Sequence, residues 1–503
     1  MRKRSWYVPF YVMYSSKRDS HFHIFDFSQQ MRRPDTKTFN YVLHLWAKCG
    51  RIDSSRKAEE LFRTISELNS ICEKFESCRP DIFSFNAVLD AYAERGEGRK
   101  AEELLKLMQE LHTLGIEPDM ISYISVFSAW CKHRGNATVA AERAIDTLYT
   151  MMDKFQNNKG KGQFKPQLYV MALKALGRCR DAESVAKAKN LLARMEIMGI
   201  QPNIFIYNAF LDVLAKSNIK SANMQAKEVI DRMNRQYKEK NDTVQPDLLS
   251  YTSYIKTIFA NGPKNNIDEV LTIVQELEDN FDGGLSKIEP DTTLYSTLLC
   301  WCLKMDKDPY LTEKILIRME DRFKKGHLKC RPSLYSYQST MKSWLLSRDP
   351  IKGEKAYEIF LRCEKMCHTQ KLNLLDYNLV LNCCSKVKKA SHKQKSVSLG
   401  IAIEVFKKIQ QNSNLKVSSQ TYFLMLECCL NLIPNTQKRN EAVKTFFGSC
   451  KRDGLVSVNI LHLLRRSCTT KFQMQLFGDI SNKLNDLPLS WTINNEGSSR
   501  LES

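Results

Sequence analysis

The chain has 503 residues, 43% of them hydrophobic and 26% charged, with a mean hydropathy of −0.40. A formal net charge of +20 and a pI near 9.2 favour a polyanionic partner, RNA before DNA or membrane. No run of about 18 or more apolar residues is present, so no membrane span is expected.

The first eighteen residues hold no acid and include Arg2, Lys3, Arg4, Lys17 and Arg18 with Ser5, Ser15 and Ser16, a composition resembling an organelle transit peptide. Trp6, Tyr7, Phe10, Tyr11 and Tyr14 are unusual for one, and Phe25 to Met31 before Pro34 reads as the tail of an earlier repeat. Residues 1–34 are therefore either a targeting segment or a repeat truncated at its start.

From Phe39 onward a short phrase returns every 38–46 residues, anchored on Phe39, Phe85, Tyr123, Tyr169, Tyr207, Tyr251, Tyr295, Tyr337, Tyr377 and Tyr422. Four residues beyond the anchors stand Leu43, Leu89, Phe127, Leu173, Leu211, Ile255, Leu299, Met341, Leu381 and Leu426. Seven beyond stand Trp46, Tyr92, Trp130, Leu176, Leu214, Ile258, Cys302, Trp344, Cys384 and Cys429. This spacing is one stripe of an α-helix. A second phrase answers each first one, clearest in Ala101-Leu104-Leu105-Met108 and Ala188-Leu191-Leu192-Met195. Each unit is thus two amphipathic helices, neither able to bury its stripe alone. The expected fold is all-α: an α-solenoid, a superhelix of about ten helix-turn-helix repeats over residues 35–458, with 459–503 a C-terminal cap and polar tail.

Between units the chain reads proline then a polar residue, as in Pro80-Asp81, Pro118-Asp119, Pro202-Asn203, Pro246-Asp247, Pro290-Asp291 and Pro332-Ser333. Proline ends one helix, and the short oxygen after it can cap the next. Most of the sixteen cysteines, Cys302, Cys384 and Cys429 among them, read as small core residues in a reducing compartment; Cys300-x-Cys302 and Cys363-x3-Cys367 lack the spacing and histidine partners of a zinc site, so no metal and no cofactor is expected.

The order aromatic-Asn, helix, Ala-x-x-φ-φ helix, Gly-Ile-x-Pro-Asp is best seen from Phe85-Asn86 to Gly115-Ile116-Glu117-Pro118-Asp119 and from Gly199 to Asn208. It resembles the pentatricopeptide repeat family, over about 425 residues in about ten units. The resemblance implies binding of single-stranded RNA, one base per repeat, selected by the residue after the aromatic together with the residue after the closing proline. Carried over, the base-selecting pairs are Asn40 with Asp81, Asn86 with Asp119, Asn208 with Asp247, Thr252 with Asp291, Ser296 with Ser333, and Asn378 with Ser418. They imply uracil for the Asn/Asp pairs, guanine for Thr252/Asp291, a purine for Ser296/Ser333 and cytosine for Asn378/Ser418. Ile124, Val170 and Phe423 cannot read a base edge, and Gln338 with Asn373 matches no common pair.

Nine residues after the aromatic come Lys48, Lys132, Arg178, Lys216, Lys304 and Lys386, where the family carries a lysine facing RNA phosphate. Phe83, Ile121, Phe205, Leu249, Tyr335 and Leu375, two residues before their aromatics, occupy the position that in the family wedges between bases. Lys154, Lys159, Lys161 and Lys165, and Lys386 to Lys395, read as solvated loops that can add phosphate contacts. Units longer than the family's norm of about 35 residues carry extra segments such as 157–165, 281–288 and 388–398.

Enzyme chemistry is not expected. The H-x-E and P-C-x-x-C of zinc deaminases, the phosphate loop and a helical H-E-x-x-H are absent, and the 45 residues after Val458 hold no aspartate cluster for a metallonuclease. The expected partner is a single-stranded organelle RNA, with RNA-processing or translation factors beside it, in the mitochondrion first and the plastid second. The alternative is a protein-binding scaffold of the tetratricopeptide type.

Overall fold

The computed structural model describes residues 35–71, 79–155, 164–239, 241–261, 267–304, 308–366, 372–477 and 487–494. Among the described residues there are twenty-three α-helices, three short 3-10 helices and no strand. The expected segment 1–34, Lys159 and Lys161 lie outside them.

The chain divides into two units, Met1–Gly262 and Pro263–Ser503. In the first, α1 (Thr36–Lys48), α3 (Ile82–Arg95), α5 (Met120–Lys132), α7 (Pro166–Leu176), α9 (Ile204–Lys216) and α11 (Leu248–Asn261) carry the aromatic anchors. Each packs on the next, forming an inner row. Between them α2 (Ser54–Ile71), α4 (Gly98–Glu110), α6 (Ala137–Phe155), α8 (Ala182–Ile197) and α10 (Ala222–Lys238) form the answering outer row. Each outer helix packs on an anchor helix that flanks it in the chain.

The second unit opens with the outer helix α12 (Ile267–Asp282) and repeats the plan. Its inner row is α13 (Thr292–Lys304), α15 (Leu334–Leu346), α17 (Leu374–Ser385) and α19 (Ser419–Leu432). Its outer helices are α14 (Pro309–Lys324), α16 (Lys352–Met366), α18 (His392–Gln411) and α20 (Thr436–Arg452). The short α21 (Val458–Ser467) packs on α19 and pairs with α22 (Thr470–Phe477), and α23 (Leu489–Thr492) lies on α20. There Lys451 Nζ sits 4.2 Å from the Trp491 ring centroid, and Val456 N–H donates to Trp491 O at 2.8 Å.

Periodicity explains the packing. All ten residues four beyond the anchors are 0% exposed, so the stripe read from sequence is the core. Trp46 alone of the residues seven beyond is half-buried. Close approach of inner helices also needs a small turn: Gly96 ends α3 at φ 70°, and a Cβ there would meet Lys132 O at 2.6 Å. The cysteines of the column are buried as expected, and burial pushes the Cys383 and Cys429 thiols up to about 12, which leaves them unreactive. Lys393 and Lys395, read from sequence as loop lysines, instead lie in the first turn of α18, because Ser391 and Gln394 form a reciprocal capping box.

One polar cluster pins three helices of the second unit. Glu278 on α12 is 4% exposed, accepts the Tyr295 hydroxyl from α13, and accepts Arg318 Nε and Nη2 from α14 at 2.9 and 2.7 Å. Arg322, one turn further along α14, grips Asp282 with two nitrogens at 2.9 and 2.8 Å. Glu278 and Arg322 are the buried members, 3.5 Å apart, so removing Glu278 takes a carboxylate from a buried guanidinium.

Two outcomes follow for stability. Leu211→Ala is expected to cost about 2–5 kcal/mol, read by urea unfolding of the first unit; an unchanged midpoint would show the stripe is not the core. Glu278→Ala is expected to cost about 3–5 kcal/mol. Hydrogen exchange should then quicken across α12, α13 and α14, whereas unaltered protection there would remove the cluster from the stabilising contacts.

Candidate nucleic-acid interface

The interface begins with helix capping. Asp81, Asp119 and Ser333 sit in extended backbone before α3, α5 and α15, and each shares a reciprocal capping box with the third residue of its helix. Asn203 caps α9 through the Ile206 N–H. Asp247 accepts Ser250 N–H at 2.8 Å and Asp291 accepts Leu294 N–H at 2.8 Å, opening α11 and α13. Proline forces the extended approach, and the short oxygen then meets amides that have no partner inside the helix.

The same caps reach back to the preceding inner helix. Asn40 Nδ2 donates to Asp81 Oδ1 at 2.9 Å, Asn86 to Asp119 at 3.2 Å, and Asn208 to Asp247 at 3.2 Å. Three residues expected to pair from sequence thus meet their caps across 33 to 41 residues of chain. One oxygen, Asp81 Oδ1, serves both the Ser84 N–H at 2.9 Å and the Asn40 amide. Helix start and selector are one hydrogen-bonded unit.

The remaining selectors differ. Thr252, in the first unit, donates to Leu248 O one turn back at 2.7 Å, while Asp291 lies in the second. Ser333 Oγ pairs with Ser336 Oγ at 3.1 Å, and among the described residues no hydrogen bond joins it to Ser296. Asn378 is 7% exposed with Oδ1 unpaired, because Ser418 Oγ turns to Thr421 Oγ1 at 3.0 Å. Gln338, which has no common partner in Asn373, instead donates to Asp376 Oδ1 at 2.6 Å. Ile124, Val170 and Phe423 are half-buried apolar groups on their inner helices.

The six apolar residues before the anchors all face outward. Phe83, Ile121, Phe205, Leu249, Tyr335 and Leu375 are between 46% and 74% exposed, although their helix neighbours are core. Water contact at one fixed position in six hairpins is costly for folding and leaves apolar surface beside the anchors of those hairpins.

The cations lie two turns further along, about 12 Å from the selectors at 1.5 Å per residue. Lys48 pairs with Asp90 at 3.5 Å, Lys132 with Glu94 at 3.0 Å, Lys216 with Asp212 at 2.6 Å and Lys386 with Glu427 at 2.7 Å. Arg178 is spent differently, donating to the Cys131 and His133 carbonyls at 2.7 and 3.0 Å and so capping the end of α5. Lys304 is exposed at the last position of α13. Lys154, read from sequence as solvated, donates to the Tyr123 hydroxyl at 2.6 Å at the end of α6. Sequence reading missed the acids; Asp90, Asp212 and Glu427 all stand five residues after an anchor, a column as regular as the lysines.

Comparisons with known proteins fall on this pattern. Residues 80–132 match the PPR repeat family, and residues 190–258 match the pentatricopeptide repeat domain. Pentatricopeptide repeat-containing protein At4g33170 of Arabidopsis thaliana is 31% identical over 172 residues, 34% of this chain and 14% of its own length. Protein At3g29230 of the same plant is 27% identical over 196 residues, 39% of this chain and 26% of its own. Protein At1g62260, mitochondrial, is 23% identical over 203 residues, 36% and 28%. The alignments therefore span between 14% and 28% of these relatives. The crystal structure of the pentatricopeptide repeat protein PPR10 in complex with an 18-nt psaJ RNA element aligns over 89% of this chain and 64% of that one, at 16% identity and a TM-score of 0.40. With ten anchor helices, two stretches that match the repeat and relatives that all carry its name, the chain carries pentatricopeptide repeats at residues 80–132 and 190–258 and is similar to that family.

Proposed function

We propose that this chain binds single-stranded RNA, taking one base at each readable hairpin, and acts by recognition in organelle RNA metabolism, with no bond chemistry of its own. The observation that carries the reading is the Asn–Asp link at the start of α3, α5 and α11, repeated beside an exposed apolar side chain each time. In each link one selector N–H and the second carboxylate oxygen remain unpaired among the described residues, a donor and an acceptor for a base edge. Phe83, Ile121 and Leu249 then offer faces on which neighbouring bases stack.

The lysines fit phosphate, which at Lys48, Lys132, Lys216 and Lys386 must displace the carboxylates now holding them. Two of the curated relatives have "mitochondrial" in their names, which favours that organelle over the plastid. The transcript's role, in stabilisation, processing or translation, follows from what the bound segment excludes or recruits.

Purified chain is expected to bind single-stranded RNA containing 5′-UUNNU-3′, the reading of Asn40, Asn86 and Asn208, more tightly than a scrambled strand or the duplex. Phe205→Ala should weaken it about tenfold or more. Six phosphate contacts from the cation column would make log affinity fall with log salt at a slope of about −4. Filter binding or fluorescence anisotropy reads all three. Equal binding to both strands would remove the base assignments, and no binding at low salt would favour the protein-binding scaffold.

A further inference from the structure

In the three Asn/Asp hairpins the selector's amide oxygen is already occupied. Ser84, Ser122 and Ser250, each the third residue of the following inner helix, donate from Oγ to Asn40, Asn86 and Asn208 Oδ1 at 2.6, 2.7 and 2.6 Å. The serines are at most 1% exposed and cannot touch a base themselves. They act on the amide: its oxygen faces the serine, one N–H faces the cap aspartate, and the other N–H is left for a ligand.

At Gln338 the polarity is reversed. The third residue of the next helix is Asp376, an acceptor that is 1% exposed. Its Oδ2 takes the Asn373 N–H at 2.9 Å and its Oδ1 takes Gln338 Nε2 at 2.6 Å. A carboxylate cannot donate, so the amide turns its nitrogen to the helix start. Its carbonyl oxygen stays unpaired among the described residues.

Resting on the RNA reading above, we propose that the third residue of the next inner helix is a positioning residue that sets the polarity of the selector amide, and that the Gln338 hairpin is itself a reader. Uracil and guanine carry a keto oxygen where cytosine and adenine carry an amine. A serine at the third position presents N–H and selects a keto base; Asp376 presents the Gln338 carbonyl and selects an amino base, adenine or cytosine. Asn378 supplies the contrast. Thr421 Oγ1 bonds Ser418 instead, the Asn378 oxygen has no partner, and that amide is free to turn, so its hairpin separates keto from amino only weakly.

The test is selection of bound sequences from a randomised single-stranded RNA pool by the full chain and by Ser250→Ala, Ser250→Thr and Asp376→Ser. Wild type should enrich a keto base at the Asn208 step and an amino base at the Gln338 step. Ser250→Ala should lower the keto preference at its own step about fivefold, with other steps unchanged, and Ser250→Thr should restore it by keeping the hydroxyl. Asp376→Ser should turn the Gln338 step from amino to keto. If Ser250→Ala fails to fold, Asp376→Ser decides: a keto gain supports the proposal and an unchanged step overturns it. A wild-type motif kept by every folded variant overturns the positioning role and leaves RNA reading intact, whereas a wild-type chain that enriches no motif overturns both.

Discussion

A helix with one apolar stripe gains little from a single partner, and the structure follows from that constraint. Each anchor helix here buries the residue four beyond its aromatic completely, and it does so only because helices stand on more than one side. Stacking is therefore a condition for each hairpin to fold. It also places the starts of successive inner helices side by side at a repeating interval. What the inner row offers to a ligand is a by-product of that alignment: caps at successive helix starts, joined at three of them by an asparagine amide and beside six anchors by an exposed apolar group.

The caps make the alignment chemical. A cap oxygen is needed at every inner helix whatever the protein does, because the first amides of a helix have no internal partner. At α3, α5 and α11 the same carboxylate also holds the preceding hairpin's asparagine. Changing the asparagine thus disturbs a neighbour's start, and changing the cap disturbs the preceding hairpin's asparagine. This coupling explains why polar residues buried at 7% and 9% exposure, Asn208 and Asn86, are tolerated inside an otherwise apolar row.

The helices, their order and the core were readable from residues alone because one period of 3.6 repeats ten times with the same register. The caps were readable for the same reason: proline followed by Asp, Asn or Ser has a local cause. Apart from the three Asn–Asp pairs, which the family resemblance implied, what depended on side chains meeting across about forty residues was not. The acids that hold Lys48 and Lys386, the carbonyls that hold Arg178, and the Asp376 partner of Gln338 all come from the neighbouring hairpin. Their columns exist in the chain, yet only the stacking distance says that they touch. Lys393 and Lys395 were misread as loop residues because a serine–glutamine capping box can start a helix inside a lysine-rich stretch that looks solvated.

Phe83, Phe205 and Leu375 stand in water on a chain that carries +20 charges. Such greasy tips would glue copies of the protein to one another if nothing opposed it. The surplus of like charge provides the opposition, since two chains repel before their tips meet. The property that opposes such sticking is the one that, under the proposed function, would draw a polyanionic strand in. A strand that neutralised those charges would at the same stroke cover the tips, so colloidal protection and its cause would be withdrawn together.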